Sequence, residues 1–189
     1  MLKGLRQLPV HNVDMATPGD IVTNRDPIFA AANLLQICDR VSGAWPSANK
    51  PHASPFILND TVTVYQLGWQ NGSGTMGTNA DVGIYDTSWN QLVAAGSTAR
   101  VGASSIQFVD VADTVVGPGK YYLVATCSGT TAGNVGFWEN GGIVLTLAGQ
   151  GYFDSATNAH PLPNPLTNMV VNGTFVRTPI LFMALRAAV

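Results

Sequence analysis

Charge is what this sequence has least of. Only 11% of its 189 residues are Asp, Glu, Lys or Arg, against about 25% in an ordinary globular domain. Lysine occurs only at Lys3, Lys50 and Lys120, and glutamate only at Glu139. These two residues usually furnish the exposed faces of helices, so their scarcity argues against exposed helices. Cysteine is nearly missing too: Cys38 and Cys127 form neither a metal motif nor a closely spaced redox pair. Both are expected as free thiols that behave as small buried hydrophobes. Long apolar runs are also lacking. The longest near the end, Ile180 to Leu185, has the length of a strand and cannot span a bilayer. The opening MLKGLRQLPVHNVD carries two cations but no apolar stretch, so no signal peptide is expected, and the chain is expected to be made in a cytoplasm. A net charge of −2 and a pI near 5.8 leave no basic footprint for nucleic acid. No basic amphipathic stretch would seek a membrane.

What is present is an apolar, β-prone chain. Hydrophobic residues make up 46% of it, enough for one sizeable core without staples. Gly, Ala, Ser, Thr, Asn and Val replace the missing charges, so the surface is either polar and neutral or hidden in contacts. Residues 1–55 stand apart. With Asp60 they hold ten of the twenty charged groups, and Pro9, Pro18, Pro27, Pro46, Pro51 and Pro55 punctuate them. That composition predicts an arm laid over a surface, with a short helix after the capping pair Asp26-Pro27 or a short strand at Leu34 to Cys38. From residue 56 to 189 the pattern becomes short β-runs separated by turn signals. The runs are 61–69, 80–86, 91–95, 105–111, 120–127, 135–138, 143–147 and 179–186. Thr87-Ser-Trp-Asn90 and Asn140-Gly-Gly142 read as hairpin turns. Eight strands at this spacing predict an all-β fold, an antiparallel β-sandwich or jelly roll with an extended N-terminal arm. The Pro- and Asn-rich stretch 152–176 is long for a plain connection, so it predicts a functional loop or a partner contact.

Chemistry-bearing motifs are few. Gly72-Ser-Gly-Thr-Met-Gly77 matches G-x-G-x-x-G, but a β-run follows where dinucleotide binding needs a helix, so it reads as a strand connection and no cofactor is expected. His11, His52 and His160 lie in separate segments without ligand spacing, so no metal is expected. No G-x-S-x-G occurs, and the chain is expected not to be an enzyme and to have no catalytic residues. Asp81 with Asp86, and Asp110 with Asp113, are the closest carboxylate pairs. All four are expected at strand ends and turns, where Asp bonds the local backbone. Trp89 sits in one expected hairpin turn and Trp138 at the edge of another. Such aromatics can stack on a sugar or anchor a protein contact, or they can fold back over the end of the sandwich.

Residues 55–127 resemble the jelly-roll modules of bacteriophage virion proteins of the tail-fibre, receptor-binding and head-appendage types. The resemblance lies in Pro55-Phe56 entering the first long strand, Gly83-Ile84-Tyr85-Asp86 with Leu92-Val93 after it, and Pro118-Gly119-Lys120-Tyr121-Tyr122-Leu123. Pro161-Leu-Pro163 and the closing 179–186 strand extend it. It implies a virion component that binds itself, as a homotrimer or in a lattice, and contacts other virion proteins. No ligand-binding residue carries over. "GIYD" and "PGxYYL" also occur in carbohydrate-binding sandwich modules, so recognition of host-surface glycan through Trp89 or Trp138 is the alternative.

Overall fold

The computed structural model describes residues 21–23, 39–130, 134–139, 152–155, 159–172 and 177–188. Among them there is no helix; the regular structure is entirely β, and every named strand pairing is antiparallel. The strands are β1 (Ile21–Thr23), β2 (Asp39–Gly43), β3 (His52–Leu58), β4 (Val62–Gln70), β5 (Asn79–Tyr85), β6 (Gln91–Ala94) and β7 (Thr98–Ala99). They continue with β8 (Ile106–Val116), β9 (Gly119–Cys127), β10 (Val135–Glu139), β11 (Tyr152–Ser155), β12 (Met169–Asn172), β13 (Arg177–Pro179) and β14 (Leu181–Ala187). One sheet has the order β1-β14-β4-β8, a second β13-β10-β2, and the largest β12-β11-β3-β9-β5-β6, with β7 also paired to β5.

Period-2 alternation explains how these sheets bury one core. On β5, Ala80, Val82 and Ile84 face inward, and on β9, Leu123, Ala125 and Cys127 do the same. From the first sheet Val62, Val64, Leu67 and Trp69 of β4 meet them, with Leu181, Met183 and Leu185 of β14. Val135 and Phe137 of β10 join the same cluster from the second sheet. Two β-irregularities, between Val64 and Gln66 on β4 and between Ala184 and Leu185 on β14, adjust the register along this wall.

The largest sheet is covered on its other face as well. Ala53, Tyr85, Tyr122 and Val124 form a second cluster with Ala159, Leu162 and Leu166. The stretch expected as a functional loop or partner contact is thus, over 159–166, a cover for the chain's own sheet. That is why β5 is buried on nearly every residue and not on alternate ones.

The expected runs 61–69, 80–86, 91–95, 120–127, 135–138 and 179–186 correspond to β4, β5, β6, β9, β10 and β14. Two expectations need correction. The division at 55/56 runs through β3, whose seven residues pair with β9 in the middle of the largest sheet. Pro55 is admitted there, opposite Tyr122, although proline in a central strand removes a donor. Residues 39–43 also form a strand, and 21–23 pair with β14, so part of the expected arm belongs to the sheets. The expected helix or strand before Cys38 and the 140–147 hairpin lie outside the described residues.

Candidate functional site

The two tryptophans singled out from sequence differ in what is described. Trp89 sits in the β5–β6 turn with a left-handed φ of 66°. Its ring stacks on Tyr122 at 4.3 Å, and its carbonyl accepts the Leu166 amide at 3.0 Å. The ring therefore closes the second cluster, which is the fold-back alternative. Trp138 lies within β10, between Arg40 of β2 and Thr178 of β13; its side chain is outside the described part of the structure.

Of the four aspartates, only Asp86 sits in a turn. Its Oδ1 accepts the amides of Ser88 and Asn90 at 2.8 and 2.9 Å, and its Oδ2 accepts Asn90 Nδ2 at 2.9 Å. These bonds, the Asn90 side chain first, hold its carboxyl below the usual range. Asp110 and Asp113 lie inside β8, which runs on to Val116 because Val62–Val64 of β4 pair with its far end. Asp110 accepts Gln66 Nε2 at 2.8 Å, and Asp113 is ion-paired to Arg186. Asp81 lies inside β5 and is buried, because loop 159–166 closes over its face. The expectation that all four flank strand ends and turns is corrected for Asp110 and Asp113, which lie well inside β8, and Asp81 is the third residue of β5.

The G-x-G-x-x-G run joins β4 to β5 as an ordinary connection. A Cβ on Gly72 would fall 2.8 Å from the Asn134 backbone, and Gly74 takes a φ of +95°. Close approach and a left-handed turn account for those glycines. Beneath this loop Arg100 is buried, donating to Thr78 Oγ1 at 2.9 Å, to Asn71 Oδ1 at 3.3 Å and to the Asn134 carbonyl. Cys127 Sγ lies 3.2 Å from Thr78 Oγ1 and is a free buried thiol, as expected. This polar node ties three loops at one end of the sandwich.

His52 is fully buried against the Trp45 ring, 4.2 Å between centroids. Burial, with Lys50 adding to it, pushes its imidazole well below the ordinary range. His160 is the more interesting histidine. Its Nε2 lies 3.0 Å from Ser97 Oγ, and Asn79 Nδ2 donates to the same Oγ at 3.0 Å. Below them, Asp81 Oδ2 accepts the Leu162 amide at 2.9 Å, and the amides of Gly96 and Val82 also favour its charged form. Desolvation outweighs those bonds and raises its carboxyl. Asp81 Oδ1, His160 Nδ1 and the hydroxyl of Thr126, which faces Asp81 across the β5–β9 pair, are buried without hydrogen-bond partners among the described residues.

Alternation on β5 puts Asn79 and Asp81 on the same face, and the turn after β6 delivers Ser97 to it. Loop 159–166 brings His160 from 63 residues away. Sequence reasoning missed this cluster because no two members share a motif. The one available signal was a carboxylate interrupting the apolar run of β5. Among the described residues no group of three or more His, Cys, Asp or Glu could hold a metal, and no helix is long and apolar enough to cross a membrane.

Fold and site together define an antiparallel β-sandwich with a covered outer face and a small polar cluster at the rim of that cover. No family model matches the chain, and no curated protein does. Among solved structures it is similar to "Structure of infectious bursal disease virus Gx strain", at 7% identity and a TM-score of 0.31, over 90% of this chain. The chain spans 36% of that one. A likeness of that size carries no argument about family or role.

Proposed function

We propose that the chain is a virion structural protein of the bacteriophage type, a capsid-decorating or tail/fibre component that works by associating with itself and with other virion proteins. The observation that carries this reading is a charge-poor surface with exposed apolar side chains. The residues from 61 to 189 hold only ten charged groups, whereas Val101, Ile106, Val115 and Val170 are 49–61% exposed. A neutral surface of this kind favours association over free dispersal. The all-β sandwich agrees with the jelly-roll resemblance of residues 55–127. A homotrimer is the proposed assembly and the virion the proposed location, with synthesis in the host cytoplasm. Trp89 gives no support to the glycan-binding alternative, because its ring is committed to Tyr122.

The test is the mass of the purified full chain by analytical ultracentrifugation at micromolar concentration and physiological salt. A closed oligomer, with a trimer as the expected species, supports the reading. A monomer that stays monodisperse and joins no particle overturns it.

A further inference from the structure

The cluster at the rim of the cover has the parts of an acyl-transfer site, which goes beyond the assembly reading and departs from the expectation of a chain without catalytic residues. We propose that Ser97 is a nucleophile toward esters, with His160 as its general base and Asn79 as the donor to the developing oxyanion.

The polarity of the hydrogen bonds fits these roles. Asn79 Nδ2 donates to Ser97 Oγ, and the Ser97 hydroxyl can donate in turn to His160 Nε2, 3.0 Å away, in the tautomer whose Nε2 is unprotonated. The proposed role requires that tautomer, with Nε2 the acceptor and the ring proton on Nδ1. Desolvation pushes the His160 imidazole below its ordinary value, so it is neutral and able to accept a proton near pH 7. Ser97 is exposed at its turn, so the hydroxyl can be reached from solvent.

Asp81 is a positioning residue. It accepts the amide of Leu162, two residues past His160, and the amide of Gly96, beside Ser97, favours its charged form. The carboxylate thus anchors the base's loop to β5, which also carries Asn79, and a shift of about 1 Å in such geometry can cost about a hundredfold in rate.

In the step, Ser97 Oγ bonds to the ester carbonyl carbon as its proton passes to His160 Nε2. The carbonyl π pair moves onto oxygen, next to the Asn79 amide, whose hydrogen bond to Oγ is no longer needed. Collapse breaks the bond to the leaving alcohol, which takes the proton from His160. Water then attacks the acyl-serine by the same route, releasing the acid and restoring Ser97. Because Ser97 lies in an open turn, the substrate class is an ester presented at a surface, a small activated ester or an acyl group carried on a larger molecule.

The experiment uses the full chain with a fluorophosphonate probe, read by intact mass and peptide mapping, and with p-nitrophenyl acetate turnover. One phosphonyl adduct on Ser97 is expected, absent in Ser97→Ala. Its rate should fall about a hundredfold or more in His160→Gln. Asn79→Ala, at an exposed position, should slow turnover at least tenfold with melting unchanged. Asp81→Asn should shift the pH profile of the reaction. No adduct on Ser97, or an adduct that forms as fast in His160→Gln as in the parent, overturns the proposal.

Discussion

His52 shows how one side chain can set the acid limit of the fold. It is fully buried beside Trp45, and its imidazole is pushed well below the ordinary value of about 6.5. The native state therefore binds a proton less readily than the unfolded chain. The stability this confers is present above about pH 6.5 and is lost as pH falls below it, by up to about 1.4 kcal/mol per pH unit. His160 shifts the same way and adds to the slope. Asp81 shifts upward, so it acts with the opposite sign, costing stability as pH rises from the ordinary carboxylate range through its native pKa. The melting temperature should fall steadily from pH 7 to pH 5, with a shallower fall in His52→Gln. A slope unchanged by that substitution would show that His52 is not the group responsible. Trp89 has a structural role that is separately measurable. Trp89→Ala should lower stability by about 1–3 kcal/mol in chemical denaturation through loss of the Tyr122 stack, while leaving the inner core intact.

At the scale of elements, the cover over the largest sheet depends on Gly83. A Cβ there would fall 2.9 Å from the Val93 carbonyl, 3.2 Å from Tyr85 and 3.3 Å from Leu162 Cδ1. The first of these is backbone and cannot yield cheaply. Gly83→Ala should therefore destabilise by about 1–3 kcal/mol. The cover itself is held by Tyr85 Oη donating to the Pro163 carbonyl at 2.7 Å, by Gln91 and Asp81, and by Leu162 and Leu166 in the second cluster. Leu162→Ala should loosen this segment before it loosens the sandwich. Hydrogen exchange checks this: the amides of Leu162 and Leu166 should lose protection while those of Val82 and Val124 keep theirs. Equal loss at all four would mean that cover and sandwich unfold as one unit.

For the whole molecule, the charge deficit bears on the proposed association of copies. Association driven by apolar and neutral polar surface should be nearly insensitive to salt, because few charges are available to be screened. Raising the ionic strength several-fold should leave the oligomeric mass unchanged; dissociation with salt would point to an ionic interface. The amino-terminal segment has a boundary that the sheets set. Deleting residues 1–20 should leave melting unchanged and abolish incorporation into the proposed assembly. Deleting 1–25 also removes β1 from its pairing with Ala184, Met183 and Phe182, and should lower the melting temperature.

The sequence by itself determined the fold class and half of the described strands. β-Branched and aromatic runs such as Val62–Gln70 and Gly119–Cys127 mark strands locally, though both are buried on consecutive residues, and scarce lysine and glutamate argued against exposed helices. It also determined that Cys127 faces inward and that Asp86 caps a turn, since both follow from immediate neighbours. Only the tertiary structure decided what covers what. Residues 52–55 look like a Pro-rich arm until β9 supplies their hydrogen-bond partners, and the 159–166 segment looks like a free loop until Tyr85, Tyr122 and Val124 give it an apolar face. Asp81 became buried, and Ser97 met His160, only when turns far apart in the chain closed on one sheet. Alternation is a local property that a reader of sequence can see; long-range closure is set by the summed packing of distant residues, which no single stretch records.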